Sequence, residues 1–218
     1  MREKKVDKQA RALSIIKQLT KDFPEPESAL DYTSPLQCLI ATILSAQCTD
    51  ARVNMVTPAL FERYPTAKDF ADSDQGELEE LIRSTGFFRN KATNIIKCCN
   101  ALVDQHDGVV PDTMDELVKL DGVGRKTANC VLGNAYGKPA VMVDTHVKRL
   151  TWRMRFTTNT NPDKIEFDIK ALFPEELWMP ACHALILHGR TVCKARKPAC
   201  SNCSVNELCP KRDVKNHA

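Results

Sequence analysis

The stretch Leu120-Asp-Gly-Val-Gly-Arg-Lys-Thr-Ala128 joins two predicted helices through a short hairpin that contains two glycines. Gly122 and Gly124 permit positive φ and leave the backbone bare, so successive N–H groups can point outwards at an anion. The helix that follows adds its positive N-terminal end to the same place. A bare Gly-x-Gly pattern more often marks only a tight turn between helices. With Arg125 and Lys126 at the start of the second helix, however, the stretch favours a phosphate-binding hairpin.

The chain continues this helical pattern on both sides of the hairpin. Apolar residues recur at spacings of three and four residues, and no long run of alternating apolar and polar residues competes with them. These spacings predict helices over residues 12–19, 36–44, 78–82, 92–103 and 128–132. The fold class is therefore predicted to be all-α.

Several residues mark where the predicted helices begin and end. Thr113 precedes Glu116 by three residues, which is the spacing of a capping box. Asn161 followed by Pro162 predicts an N-cap with proline at the first helical position. Pro180 stands inside the apolar run 177–187, so the helix there is predicted to begin at the proline. Three glycines follow helical runs and are predicted to end them: Gly86, Gly108 and Gly189.

Composition describes an ordinary globular protein. The chain has 218 residues, of which 43% are apolar and 27% charged, which is enough to bury a core in one large domain or two small ones. No apolar segment of signal-peptide length follows the basic N-terminus, and no stretch approaches the roughly 20 apolar residues that span a bilayer. We therefore expect a cytoplasmic protein with no membrane partner.

A formal net charge of +3 does not identify a nucleic-acid partner by itself, so the local distribution of charge matters more. Between residues 189 and 200 the chain carries four basic residues and no acidic one: Arg190, Lys194, Arg196 and Lys197. This segment is either a solvated loop or a phosphate-binding patch.

Ten cysteines are many for a chain expected in a reducing compartment, where structural disulfides are rare. Six lie in apolar segments and are predicted to be small buried hydrophobic residues: Cys38, Cys48, Cys98, Cys99, Cys130 and Cys182. The other four form the pattern Cys193-x6-Cys200-x2-Cys203-x5-Cys209. Four thiolates suit a tetrahedral zinc ion or a cubane iron–sulfur cluster, although zinc modules usually contain two close cysteine pairs and this pattern contains one.

Four segments, together with the terminal cysteines, resemble the endonuclease III family of DNA glycosylases. The hairpin at 120–128 is similar to the family's helix-hairpin-helix, and Val143-Asp-Thr-His146 is similar to the motif that follows it there. Two further similar segments are Leu44-Ser-Ala-Gln-Cys-Thr-Asp50 and Leu185-Ile-Leu-His-Gly-Arg190. The motifs occur in the right order over nearly the whole chain, which makes the resemblance specific.

The resemblance implies a bifunctional DNA glycosylase and AP lyase of base excision repair that removes oxidised pyrimidines from duplex DNA. Lys126 matches the catalytic lysine, which attacks C1′, forms a Schiff base and allows β-elimination 3′ to the abasic site. An ordinary lysine is almost fully protonated at neutral pH, whereas a helix N-terminus and a partly desolvated cleft disfavour the charged form. Asp144 matches the catalytic carboxylate and is also a candidate N-cap. His146 is interpreted as a packing or orienting residue.

The resemblance also favours a [4Fe-4S] cluster over zinc. The ligands that it implies are Cys193, Cys200, Cys203 and Cys209. The loop between the first two ligands would then be held rigidly for phosphate contact through Lys194, Arg196 and Lys197.

Further DNA contacts are implied by the need to extrude a base and fill the gap that it leaves. Gln47 matches a gap-filling glutamine, and Phe87 stands where many family members place leucine as an apolar wedge. Phe88 is either a second wedge residue or an ordinary core residue. The hairpin residues predicted to contact phosphate are Gly122, Gly124 and Arg125.

The implied architecture consists of two helical domains with the active site in the cleft between them. A six-helix domain with the helix-hairpin-helix is predicted over residues 28–138, and a cluster domain over residues 1–27 plus 139–218. The implied partner is double-stranded DNA with a damaged base or an abasic site. We expect a monomer associated with the nucleoid.

Two other functions compete with this prediction. A related adenine glycosylase shares the hairpin and the cluster, but it lacks the lysine and carries a glutamate before the gap-filling glutamine. In this chain residues 39–46 contain no acidic residue, and Lys126 is present. A non-catalytic DNA-binding or redox protein would need neither Lys126 nor Asp144.

Overall fold

The computed structural model describes residues 3–24 and 28–215, and within them every regular element is helical. The α-helices are, in chain order, α1 (Lys5–Asp22), α2 (Pro35–Leu44), α3 (Asp50–Arg63), α4 (Ala67–Ala71), α5 (Gln75–Ile82), α6 (Phe88–His106), α7 (Met114–Leu117), α8 (Arg125–Asn134), α9 (Thr145–Arg153), α10 (Pro162–Leu172) and α11 (Trp178–Thr191). Short 3₁₀ turns occupy Arg83–Thr85, Glu175–Leu177 and Cys200–Asn202. The all-α prediction is confirmed. Across this part of the chain, none of the helices has the length and apolar character that crossing a bilayer requires.

The chain divides into two compact units, which are residues 28–138 and residues 1–27 together with 139–218. The first contains α2 to α8, and the second contains α1 and α9 to α11.

Helix α2 forms the centre of the unit 28–138. Its N-cap Ser34 accepts a hydrogen bond from the N–H of Gln37, and Pro35 occupies the first helical position. Residues 38–44 are all buried, because α2 packs against α3, α6 and α8. Helix α6 also covers α4 and α5. The helix that follows the hairpin is therefore anchored on the core of this unit.

Helix α11 is the centre of the other unit and packs against both α1 and α9. Its buried face includes Ala181 and Leu185, and the facing residues of α1 include Ile15 and Leu19. Helix α10 packs against α9. These contacts fix α9, whose N-cap is Asp144.

Two predicted boundaries of α11 are wrong. The helix begins at Trp178, and Pro180 lies in its first turn, where a missing N–H removes no intrahelical bond. Gly189 does not end the helix, which continues to Thr191. A Cβ at position 189 would lie 2.9 Å from both Cβ and Nδ1 of His146, so this glycine permits the close approach of α9.

The other helix boundaries follow the sequence more closely. Gly86 and Gly108 end helical segments with φ of 71° and 76°, as predicted. Asn161 caps α10 by accepting hydrogen bonds from two N–H groups. Thr113 is the N-cap of α7, but the predicted capping box with Glu116 is wrong, since the threonine side chain makes no cap hydrogen bond.

Burial of the cysteines outside the terminal cluster agrees with the prediction at four of six positions. Cys38, Cys98, Cys99 and Cys182 are buried, whereas Cys48 and Cys130 are only partly buried. Burial raises the pKa of Cys38 and of Cys98 to about 12. These two thiols are therefore protonated and unreactive at neutral pH.

Candidate active site and metal centre

The glycine hairpin is closed by backbone hydrogen bonds. The N–H of Val123 donates to the carbonyl of Leu120 at 3.1 Å. Gly122 has φ of +75°, and a Cβ there would lie 2.9 Å from Cβ of Asn94 on α6, so both conformation and space require glycine. Gly124 is the N-cap of α8 with φ of −86°, which any residue can adopt. Positive φ is thus used at the first glycine alone.

Lys126 is the second residue of α8 and is exposed. The opposite face of α8 is buried, with Ala128 and Val131 packed in the unit's core. The N-cap Gly124 has no side chain, so no side chain at this position caps the positive end of α8. Lys126 therefore lies at the positive end of a helix, with its side chain accessible to a ligand.

Asp144 is the N-cap of α9, which confirms its prediction as a candidate cap. Its Oδ1 accepts a hydrogen bond from the N–H of Val147 at 2.7 Å. The residues before it, 140–143, are buried and hold the start of the helix in place. The cap bond does not use Oδ2 of Asp144, so the residue can cap the helix and still offer a carboxylate oxygen for proton transfer.

His146 packs in the close contact between α9 and α11. Its Nδ1 lies 3.1 Å from Nη2 of Arg149, which also donates to the carbonyl of Gly189 at 2.8 Å. These contacts agree with the interpretation of His146 as a packing residue.

The two predicted gap-filling residues lie in turns of the unit 28–138. Gln47 follows α2 and Phe87 precedes α6, and both adopt left-handed backbone conformations with φ of 53° and 49°. Gln47 is exposed, and Phe87 is 63% exposed despite its apolar ring. Phe88 is half-buried, and its ring faces two guanidinium groups, those of Arg83 at 5.6 Å and Arg89 at 5.1 Å. Of these two phenylalanines, Phe87 is the more exposed.

The four terminal cysteines line a single cavity. Burial raises the pKa of Cys203 and Cys209, and the negative charge of neighbouring thiolates raises both further. A bound cationic centre would reverse this effect and stabilise the thiolates. Among the described residues no three His, Cys, Asp or Glu side chains are grouped closely enough for a single metal ion. Four thiols that line one cavity are the set of donors that a [4Fe-4S] cluster requires.

Two arginines of α9 hold the loop that begins at the first cysteine, and sequence reasoning missed both. Arg153 donates to Sγ of Cys193 at 3.3 Å and to the carbonyls of Lys194 and Ala195 at 2.8 and 2.9 Å. Arg149 donates to the carbonyl of Cys193 at 3.0 Å. The basic side chains of this loop are exposed: Lys194, Arg196 and Lys197. The only sequence signal for these contacts was an arginine repeated at four-residue spacing.

Comparison with known proteins identifies the class of protein to which this helical fold belongs. Residues 40–175 match the HhH-GPD superfamily of base excision DNA repair proteins. Residues 193–209 match the iron-sulfur binding domain of endonuclease III.

Full-length relatives narrow the class further. The chain is 53% identical to an endonuclease III of Synechocystis over 95% of both chains, and 40% identical to that of Escherichia coli over 92% of this chain and 95% of the relative. It is also similar to a solved structure of a trapped endonuclease III–DNA covalent intermediate, with a TM-score of 0.89, 43% identity, and coverage of 93% of this chain and 96% of the other.

The chain belongs to the endonuclease III family. It is a base excision repair enzyme, a DNA glycosylase with AP lyase activity, and it carries a [4Fe-4S] cluster. The resemblance found in the sequence motifs is confirmed. The individual catalytic and DNA-binding residues, and the pairing of Lys126 with Asp144, stay predictions.

Proposed function

We propose that Lys126 is the nucleophile that removes oxidised pyrimidines from duplex DNA. Its neutral amine attacks C1′ of the damaged nucleotide, and the C1′–N bond to the base breaks. The C1′–O4′ bond of the sugar ring then breaks, O4′ takes up a proton, and C1′ becomes the carbon of a Schiff base with Lys126. This Schiff base permits loss of a proton at C2′ and elimination of the 3′ phosphate. The observation that carries this proposal is the position of Lys126, exposed in the first turn of a helix that follows a glycine hairpin.

Asp144 serves in this proposal as the carboxylate that accepts a proton from the lysine and stabilises positive charge on the sugar. Its second oxygen is available for this task while the first caps α9. The cluster takes no part in these steps; held by Cys193, Cys200, Cys203 and Cys209, it supplies structural support to the loop that contacts DNA.

Double-stranded DNA with a damaged base or an abasic site is the proposed partner. The similar endonuclease III in its trapped covalent intermediate is joined to DNA, which supports this choice. Gly122, Gly124 and Arg125 bind phosphate at the hairpin, and Gln47 and Phe87 fill the gap left by the extruded base. The basic loop contributes further phosphate contacts through Lys194, Arg196 and Lys197. The enzyme acts as a monomer in the cytoplasm, associated with the nucleoid.

Borohydride trapping on abasic-site DNA tests the nucleophile. The wild-type enzyme is expected to form a covalent adduct that disappears in Lys126→Ala. Lys68→Ala is the matched control, because Lys68 is an exposed lysine of α4 in the same unit and pairs with Asp72, the C-cap of that helix. The lyase proposal is wrong if the wild type gives no adduct, and the assignment to Lys126 is wrong if the Ala variant still traps.

The lesion is tested with a panel of duplexes that contain oxidised, deaminated or mispaired bases, with a stable abasic analogue as the binding control. Preferred excision of oxidised pyrimidines is expected. Preferred excision of a mispaired adenine would contradict the substrate proposal while leaving the lyase chemistry intact.

The basic loop is tested by the salt dependence of DNA affinity. Lys194→Glu is expected to weaken binding regardless of sequence and to reduce the slope of log affinity against log salt by about 1. Lys164→Glu on α10 makes the same change in net charge away from the loop and is the control. Equal effects of the two variants would assign the loss to net charge rather than to phosphate contact.

A further inference from the structure

A buried lysine joins the two turns that carry Gln47 and Phe87. Lys91 lies on α6 and is only 5% exposed. Its Nζ donates to the carbonyl of Leu44 and to the carbonyl of Thr85, both at 2.8 Å. Leu44 is the last residue of α2 and precedes Gln47 by three positions; Thr85 ends the 3₁₀ turn and precedes Phe87 by two.

The chemistry of the two acceptors suits a cation. The carbonyl of Leu44 is among the last four of α2, which have no N–H partner within the helix and form its negative end. Burial lowers the pKa of Lys91, and the nearby Cys48 works in the opposite direction. Among the described residues its hydrogen-bond acceptors are these two carbonyl oxygens. A buried ammonium is costly compared with an apolar side chain, so its presence calls for a role beyond filling the core.

The backbone of both turns needs such support. Gln47 and Phe87 have a Cβ yet adopt left-handed conformations, which cost free energy in residues other than glycine. Gly86 has φ of 71° and ψ of 156°, a region that only glycine enters readily. Strained turns of this kind persist when their surroundings fix them, and Lys91 fixes the residue at the start of each.

We propose that Lys91 is a positioning residue for base extrusion, which holds the two turns at a fixed separation so that Gln47 and Phe87 enter the duplex together. This inference rests on the proposed gap-filling function of these two residues. Ordering both turns before DNA binds removes the entropy cost of ordering each of them in the complex.

The test compares two activities that differ in their need for extrusion. Excision of a damaged base from a fully paired duplex requires the wedge, whereas lyase action on an abasic site in single-stranded DNA does not. Lys91→Met removes the ammonium group, and with it both hydrogen bonds, at similar side-chain size. It is expected to lower single-turnover duplex excision on the order of tenfold. The lyase rate should be retained. Lys138→Met is the control for loss of a lysine that holds a loop: Lys138 is partly exposed and donates to both the carbonyl and the carboxylate of Asp112, each at 2.6 Å.

A double-mutant cycle separates positioning from general stability. In the background of Gln47→Ala with Phe87→Ala, Lys91→Met is expected to cause little further loss, because it acts through the side chains that have been removed. An undiminished further loss, or an equal fall in duplex excision and single-strand lyase activity, would overturn the proposal. If Lys91→Met fails to fold, Lys91→Gln is used, whose shorter side chain cannot reach both carbonyls; an unchanged ratio of the two activities again overturns it.

The wedge variants show which proposal has failed. If Gln47→Ala and Phe87→Ala leave duplex excision unchanged, the gap-filling function is wrong and the role of Lys91 falls with it. If both lower duplex excision but Lys91→Met does not, the inference about Lys91 alone is wrong.

Discussion

Asp144 has one structural role in α9 and one proposed chemical role, and the two can be separated by substitution. Its Oδ1 accepts the N–H of Val147 at 2.7 Å as the N-cap. Asparagine caps helices about as well as aspartate, so Asp144→Asn should keep this bond. Asp144→Ala loses it, at a cost of about 1 kcal/mol, which lowers the melting temperature by about 2–4 °C in a protein of this size.

The excision rate of the two variants should depend on the lost negative charge of Asp144, and not on whether the cap bond is kept. Both variants lack the carboxylate, and loss of a general base typically lowers the rate by about 10²- to 10⁴-fold. Asp144→Asn is therefore expected to lose base excision by at least about 10²-fold while its melting temperature barely changes. Single-turnover release of the damaged base, measured beside thermal unfolding, gives both quantities.

A matched control exists in the same unit. Asn161 caps α10 by accepting hydrogen bonds from the N–H groups of Asp163 and Lys164. Asn161→Ala should be destabilised like Asp144→Ala and keep its excision rate. Retention of activity in Asp144→Asn, with loss in Asp144→Ala, would refute the chemical role and leave Asp144 as a cap alone.

Three further substitutions test the packing, the wedge turn and the cluster. Gly189→Ala should destabilise the protein by about 1–3 kcal/mol in thermal unfolding, because the new Cβ would lie 2.9 Å from His146. In an open helix the same change usually stabilises by about 1 kcal/mol. A stabilised variant would therefore contradict the tight contact. Gly86→Ala should cost about 1–3 kcal/mol and reduce excision from paired duplexes, since alanine disfavours φ of 71° with ψ of 156°; an unchanged melting temperature would contradict this. Cys203→Ser should lose iron and visible absorbance, whereas Cys130→Ser, outside the cluster, should keep both, and full iron content in the first variant would exclude Cys203 as a ligand.

Features determined by neighbours in the sequence were predictable. The apolar spacing predicted the helices, and the polar residue before each of α9 and α10 was correctly interpreted as a cap because capping involves only the next three residues. The four terminal cysteines were grouped by their spacing, and they line one cavity.

Features determined by distant residues were not predictable in this way. Gly189 was interpreted as a helix stop because glycine often follows a helix, but its cause is the approach of His146, 43 positions earlier in the chain. Lys91 did leave a signal: it falls on the helical face of Ile95, Cys98 and Leu102, which are all buried. A lysine in an apolar stripe indicates a buried cation, although its two carbonyl partners lie in other segments.

The contacts of α9 explain how a cluster without a chemical step can still affect base excision. Asp144 caps this helix at one end. At the other end Arg153 donates to Sγ of Cys193, the first proposed cluster ligand, and to the carbonyls of Lys194 and Ala195. Arg149 adds a bond to the carbonyl of Cys193. If the cluster is lost, the loop that accepts these bonds loses its anchor, so the positions of the basic side chains and of α9 become less defined together. Cluster removal should therefore weaken DNA binding and slow excision in parallel, whereas Asp144→Asn should slow excision and leave binding to a stable abasic analogue intact.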